Sequence, residues 1–213
     1  MAPPATSTGG RLAILISGRG SNMEALIHAS LEGRIPAQVA AVIADQPGAR
    51  GLERARALEV PTAVVDHREA ESRQAHEQRL LAVLQGYHVQ LVCLAGYMRI
   101  LSSFFVTAYR GRIMNIHPSL LPSFPGLAAQ EQALAHGVKV AGCTVHFVDG
   151  QLDQGPIIDQ ECVRVKENDT VEGLSGRILE KEHLLYPRAV RLFFEGRLRI
   201  EGRHTVILPA PAG

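Results

Sequence analysis

Leu12-Ala13-Ile14-Leu15-Ile16-Ser17-Gly18-Arg19-Gly20-Ser21-Asn22 is an apolar run of strand length that breaks at two glycines and passes into a segment of helical period. The strand is predicted over residues 12–16. Ser21, with Glu24 three residues on, has the spacing of a capping box, and Met23, Leu26, Ile27 and Leu31 form the apolar stripe of the first helix. Further along, strand-like runs at 39–44, 62–65, 89–95 and 113–116 alternate with helical patterns at 50–58, 73–85 and 103–109. That alternation is the signature of repeated βα units on a parallel sheet, and the most apolar run, 89–95, is expected near its centre. From Gly142 the pattern changes to two runs, 143–148 and 157–165, separated by the turn-rich residues 149–156, which predicts an antiparallel hairpin with a long loop. A last helix is expected to begin near Asp169, with Glu172 three residues on, and to run toward Phe193 and Phe194 before Gly196 stops it. The fold class predicted is therefore α/β: a Rossmann-like, doubly wound, mostly parallel sheet with an antiparallel C-terminal hairpin and a terminal helix. Residues 1–10 read as a disordered leader, 11–202 as one domain and 203–213 as a loop-like tail.

The chain has 213 residues, and its 22 Lys and Arg nearly balance 21 Asp and Glu, so no overall field draws it to nucleic acid or an anionic membrane. Small-molecule partners are expected. Cys93, Cys143 and Cys162 stand far apart, and they read as reduced thiols of a cytoplasmic protein. No apolar run approaches the ~20 residues needed to cross a bilayer.

Gly18-x-Gly20 after the first strand invites a dinucleotide reading, but the third glycine of that fingerprint falls at Met23. Gly20, Ser21 and Asn22 read either as a phosphate cradle at a positive helix N-terminus or as a tight turn with Ser21 as a plain cap. In Met114-Asn115-Ile116-His117-Pro118-Ser119-Leu120-Leu121-Pro122, Asn115 and His117 are two apart at a strand's end, so both face one side of the crevice where ligands of open α/β sheets collect. His117 is a catalytic candidate or a structural histidine. Asp153, on the predicted loop, would hold an imidazole in one orientation, or is a turn aspartate beside Gly and Pro. His146 is a second candidate beside the reading of a satisfied sheet histidine. None of the nine histidines has metal-ligand spacing, so no metal is expected.

Taken together these motifs resemble the phosphoribosylglycinamide formyltransferase family, in order, over residues 12–198. The pieces are Ile14-Leu15-Ile16-Ser17-Gly18-Arg19-Gly20-Ser21-Asn22, Leu94-Ala95-Gly96-Tyr97-Met98-Arg99-Ile100-Leu101, Asn115-Ile116-His117-Pro118-Ser119-Leu120-Leu121-Pro122 and Leu152-Asp153-Gln154-Gly155-Pro156. The resemblance implies transfer of a formyl group from 10-formyltetrahydrofolate to the amine of glycinamide ribonucleotide, by a monomer or homodimer. It implies Asn115, His117 and Asp153 as the catalytic trio, and Gly20, Ser21 and Asn22 as holders of the substrate phosphate. It also implies Glu182 as a contact of the amine substrate, a folate pocket lined by Met98, Arg99, Ile100 and Leu101 with Asn115 at its edge, and Arg73 as partner of a folate carboxylate. The departure is Pro125-Gly126-Leu127-Ala128-Ala129-Gln130, where relatives place histidine or another polar residue. Rival readings are a methionyl-tRNA formyltransferase, expected to need a further C-terminal nucleic-acid-binding region, a formyltetrahydrofolate deformylase, expected to need an N-terminal regulatory domain, and a non-catalytic folate- or nucleotide-binding module.

Overall fold

A computed structural model describes residues 9–210, so most of the expected leader and residues 211–213 lie outside the described residues. The chain runs β1 (Gly10–Ile16), α1 (Ser21–Leu31), β2 (Ala37–Ala44), α2 (Gly51–Ala57), β3 (Thr62–Val64), α3 (Arg73–Gly86), β4 (Leu91–Leu94), α4 (Ser103–Ala108), β5 (Ile113–His117), α5 (Ala129–Ala135), β6 (Val140–Phe147), β7 (Ile157–Arg164), α6 (Val171–Phe194), β8 (Leu198–Glu201) and β9 (His204–Ile207). They form one nine-stranded sheet in the order β3-β2-β1-β4-β5-β6-β7-β9-β8. The pairings from β3 to β5 are parallel, and β6 and β7 then join antiparallel. The predicted class and hairpin are both observed.

Period-two alternation in β1 assigns its residues to two cores. Leu12, Ile14 and Ile16 pack with α1, α2 and α6, while Ala13 and Leu15 pack with α3 and α4 on the opposite face. All five are fully buried. Each such Leu or Ile contributes roughly 1.5–3 kcal/mol by leaving water. A strand apolar on both faces is stable only under helices on both sides, which is why this run dictates a doubly wound sheet. Among the described residues no helix is long and apolar enough to cross a membrane. Cys93 and Cys143 are buried in β4 and β6, and Cys162 is exposed; all three are free thiols.

Four local expectations are corrected. Ser21 is not the cap of α1: Gly20 is, in the left-handed region at φ 79°, without a side-chain capping bond, and Glu24 turns instead to Arg54 at 2.8 Å. A Cβ on Gly20 would come within 3.2 Å of the Gly51 Cα, so both the turn and its packing on α2 require glycine. The last helix is capped by Thr170, whose hydroxyl accepts from the Gly173 N–H at 3.1 Å; Asp169 pairs with Arg177. The segment after Gly202, expected to be loop, contains β9, which pairs antiparallel with β8 and meets β7 at His204. Finally α5 occupies residues 129–135, where no helix was predicted.

Candidate active site

The turn after β1 leaves the first N–H groups of α1 without helical partners, and the helix dipole places roughly half a positive charge there. Asn22 in that first turn donates from Nδ2 to Glu182 Oε2 on α6 at 2.7 Å. Glu182 is 6% exposed, and burial raises its pKa against the lowering effect of the Asn22 bond. The predicted cradle residues and Glu182 are thus one unit, joined across 160 residues of sequence. Gly20, Ser21 and Asn22 border a cleft of about 470 Å³ that Met98 and Arg99 also line.

The second group assembles where β5 ends. Asn115 is partly buried and His117 is 5% exposed, both on the face that alternation predicts. His117 donates from Nε2 to the Phe124 carbonyl at 2.9 Å, which commits that nitrogen as N–H and leaves Nδ1 as the free position. Nδ1 stands 3.5 Å from Asp153 Oδ2. The same carboxylate oxygen accepts from the Gly126 N–H at 2.8 Å. Asp153 itself adopts φ 52°, a left-handed conformation that non-glycine residues hold only at a cost. Asn115, His117 and Asp153 therefore converge from two separate segments.

His146 joins them. Antiparallel pairing of β5 with β6 sets it opposite Asn115. Its Nδ1 donates to the Phe147 carbonyl at 2.9 Å, and its Nε2 lies 3.3 Å from Asn115 Nδ2 and 3.7 Å from Asp153 Oδ1. Burial lowers its pKa, so the ring is held neutral. Among the described residues no group of three or more His, Cys, Asp or Glu is placed to hold a metal ion.

The 98–101 stretch follows β4, the neighbour of β5 in the sheet. Met98 and Ile100 are exposed, at 69% and 63%, whereas Leu101 is buried. Arg73 reaches this stretch: its guanidinium donates to the Ile100 carbonyl and stands 3.4 Å from Glu77, so much of its hydrogen-bonding capacity is already engaged. The departing stretch 125–130 meets the site through the Gly126 backbone, a contact that the side chains of Ala128, Ala129 and Gln130 do not supply.

A helix N-terminus behind a glycine turn and an amide–imidazole–carboxylate group at the carboxyl ends of a parallel sheet define an enzyme cleft of the open α/β class. Residues 10–190 match the formyl transferase family. The chain is 42% identical to a phosphoribosylglycinamide formyltransferase of Bacillus subtilis over 85% of its own length and 93% of that protein's. It superposes on the crystal structure of glycinamide ribonucleotide transformylase 1 from Symbiobacterium toebii with a TM-score of 0.93 and 54% identity, covering 98% of this chain and 99% of that one. It is also 46% identical to part of the trifunctional purine biosynthetic protein adenosine-3 of Gallus gallus, where it spans 19% of that protein's length. The chain belongs to the formyl transferase family, among its phosphoribosylglycinamide formyltransferases.

Proposed function

We propose that this protein moves the formyl group of 10-formyltetrahydrofolate onto the amine of glycinamide ribonucleotide, a step of purine biosynthesis. The observation that carries the reading is the approach of His117 Nδ1 to Asp153 Oδ2, 3.5 Å, beside Asn115. The substrate phosphate rests on the backbone N–H groups at Gly20, Ser21 and Asn22, with Glu182 fixing Asn22 and facing the substrate's polar groups. The folate lies over Met98, Arg99, Ile100 and Leu101, with Arg73 at the carboxylate end.

The amine lone pair attacks the formyl carbon, and the carbonyl oxygen gains negative charge. Asn115 donates a neutral hydrogen bond to that oxygen and protonated His117 a charged one. Asp153 accepts the proton leaving the amine, directly or through water, and the proton reaches the folate nitrogen as its bond to the formyl carbon breaks. No covalent enzyme intermediate is needed. Anchoring the phosphate away from the reacting carbon positions the amine and removes part of the entropic barrier.

Spectrophotometric assay of folate deformylation with and without glycinamide ribonucleotide tests this: turnover is expected only with the amine. Turnover in its absence would indicate a deformylase instead. Asn115→Ala, His117→Ala and Asp153→Asn are each expected to lower kcat by about 10²–10³ with the fold intact. Asparagine tolerates the left-handed conformation at 153, so that last variant isolates the charge.

A further inference from the structure

The cleft beside the phosphate cradle also reaches past the end of β2. Its lining includes Asp45, Gln46 and His67 together with the cradle, and does not include Asn115, His117, Asp153 or Glu182. Asp45 stands just past the end of β2, is 5% exposed, and its Oδ1 has no hydrogen-bond partner. A buried carboxylate with an unused acceptor site is costly until a donor reaches it. Two neighbouring donors are committed elsewhere: His67 Nδ1 pairs with the Asp45 backbone carbonyl at 2.9 Å, and Gln46 Nε2 with the Ser17 carbonyl at 2.7 Å. Arg19 and Arg99 are the arginines on the same cleft.

In an open parallel sheet, an acidic residue at the carboxyl end of the strand beside the phosphate turn occupies the position that receives ribose hydroxyls. Asp45 has that place relative to Gly20, since β2 is the immediate neighbour of β1. Two features narrow the ligand. Met23 stands where a dinucleotide site has its third glycine, and its thioether packs beneath the Gly20 turn, which leaves a cradle for one phosphate in place of a pyrophosphate. The Asp45 carboxylate repels a second anion and favours a neutral diol.

We infer that this cleft binds a nucleoside 5′-monophosphate, its phosphate on residues 20–22 and its ribose diol on Asp45, in competition with the phosphorylated amine substrate. The inference rests on the reading of that turn as a phosphate site. An occupant of this kind inhibits the enzyme competitively without touching the Asn115 group.

Calorimetric titration of the whole protein with adenosine 5′-monophosphate, its 2′,3′-dideoxy counterpart and inorganic phosphate tests it. Inorganic phosphate is expected to displace the nucleotide. Asp45→Asn is expected to weaken the ribonucleotide about tenfold or more while leaving inorganic phosphate and the dideoxy nucleotide within about twofold. Should that variant fold poorly, the comparison of ribo- and dideoxy-nucleotide on the unaltered protein carries the same information. Equal affinity for the two nucleotides, or no competition from phosphate, overturns the inference. A protein that formylates its substrate and binds phosphate but ignores the nucleotide loses this inference alone. Diol-dependent nucleotide binding without formyl transfer overturns only the proposed function.

Discussion

His146 Nε2 lies 3.3 Å from Asn115 Nδ2, and the two side chains face each other across the antiparallel junction of β5 and β6. Because His146 Nδ1 donates to a carbonyl and burial keeps the ring neutral, Nε2 presents a lone pair that accepts from the Asn115 amide. The bond fixes which end of Asn115 is turned toward the cleft. His146→Ala is therefore expected to lower kcat about tenfold to a hundredfold with little change in KM for the amine substrate, and His146→Gln, which keeps an acceptor, to recover part of the loss. An unchanged kcat in His146→Ala would leave Asn115 self-sufficient.

The buried histidines also set an acid limit on stability. Burial lowers the pKa of His76, His146 and His183 below the ordinary 6.5. The unfolded chain then binds protons that the folded one refuses, so stability is full above about pH 6.5 and declines as the pH falls toward the depressed folded values. Glu182 works in the opposite sense: its raised pKa lets the folded state take a proton first, starting above 4.5. The urea midpoint is expected to drop as the pH falls below about 6.5, and the drop on approaching pH 4.5 to be steeper in Glu182→Gln, which lacks the offset. A flat profile in both proteins would contradict this.

Much of the layout is legible before folding because it rests on local periodicity. The five apolar residues of β1 announce a strand buried on both faces, and the spacing of Asn115 and His117 announces a shared side. The features that escape a reading of the sequence depend on pairing between distant segments. His146 is legible as a candidate but its partner is not, since the register that sets it against Asn115 spans 31 residues. Gly20 displaces Ser21 as the cap because packing on Gly51, not side-chain chemistry, decides the turn. β9 escapes notice because Gly202 and Arg203 read as a chain leaving the fold, and only pairing with β7 and β8 makes a strand of His204–Ile207. α5 is hidden behind Pro125 and Gly126, with Ala128 in a left-handed conformation that residue type does not signal. Arg73 is recognisable as a cation, but not its engagement with the Ile100 carbonyl.

Tyr186 ties the terminal helix to the two strands that carry the site. Its phenol is fully buried and approaches the Leu94 and Met114 carbonyls at 3.1 and 2.9 Å, immediately before Ala95 and Asn115. Tyr186→Phe removes the donor, keeps the ring, and strands both carbonyls from that partner. The expected cost is about 1–2 kcal/mol, a fall in Tm of roughly 2–8 °C for a chain of this size. Differential scanning calorimetry reads it, and a Tm within about 1 °C of the unaltered protein counts against a structural bond.

The loop that brings Asp153 to His117 contains two glycines with opposite surroundings. A Cβ built on Gly155 would stand 1.7 Å from the Phe147 carbonyl oxygen, a clash with strand backbone that no rotamer relieves. Nothing lies within 4 Å of a Cβ on Gly150. Gly155→Ala must push residues 153–156 away from β6, and even a small shift of Asp153 separates it from both His117 Nδ1 and the Gly126 N–H that hold it. Misplacement of about 1 Å can cost on the order of a hundredfold in rate. Gly155→Ala is accordingly expected to lose about that much in kcat and to melt lower, while Gly150→Ala keeps both. Equal activity in the two variants would mean that the position of Asp153 is not set by the close passage of Gly155 over β6.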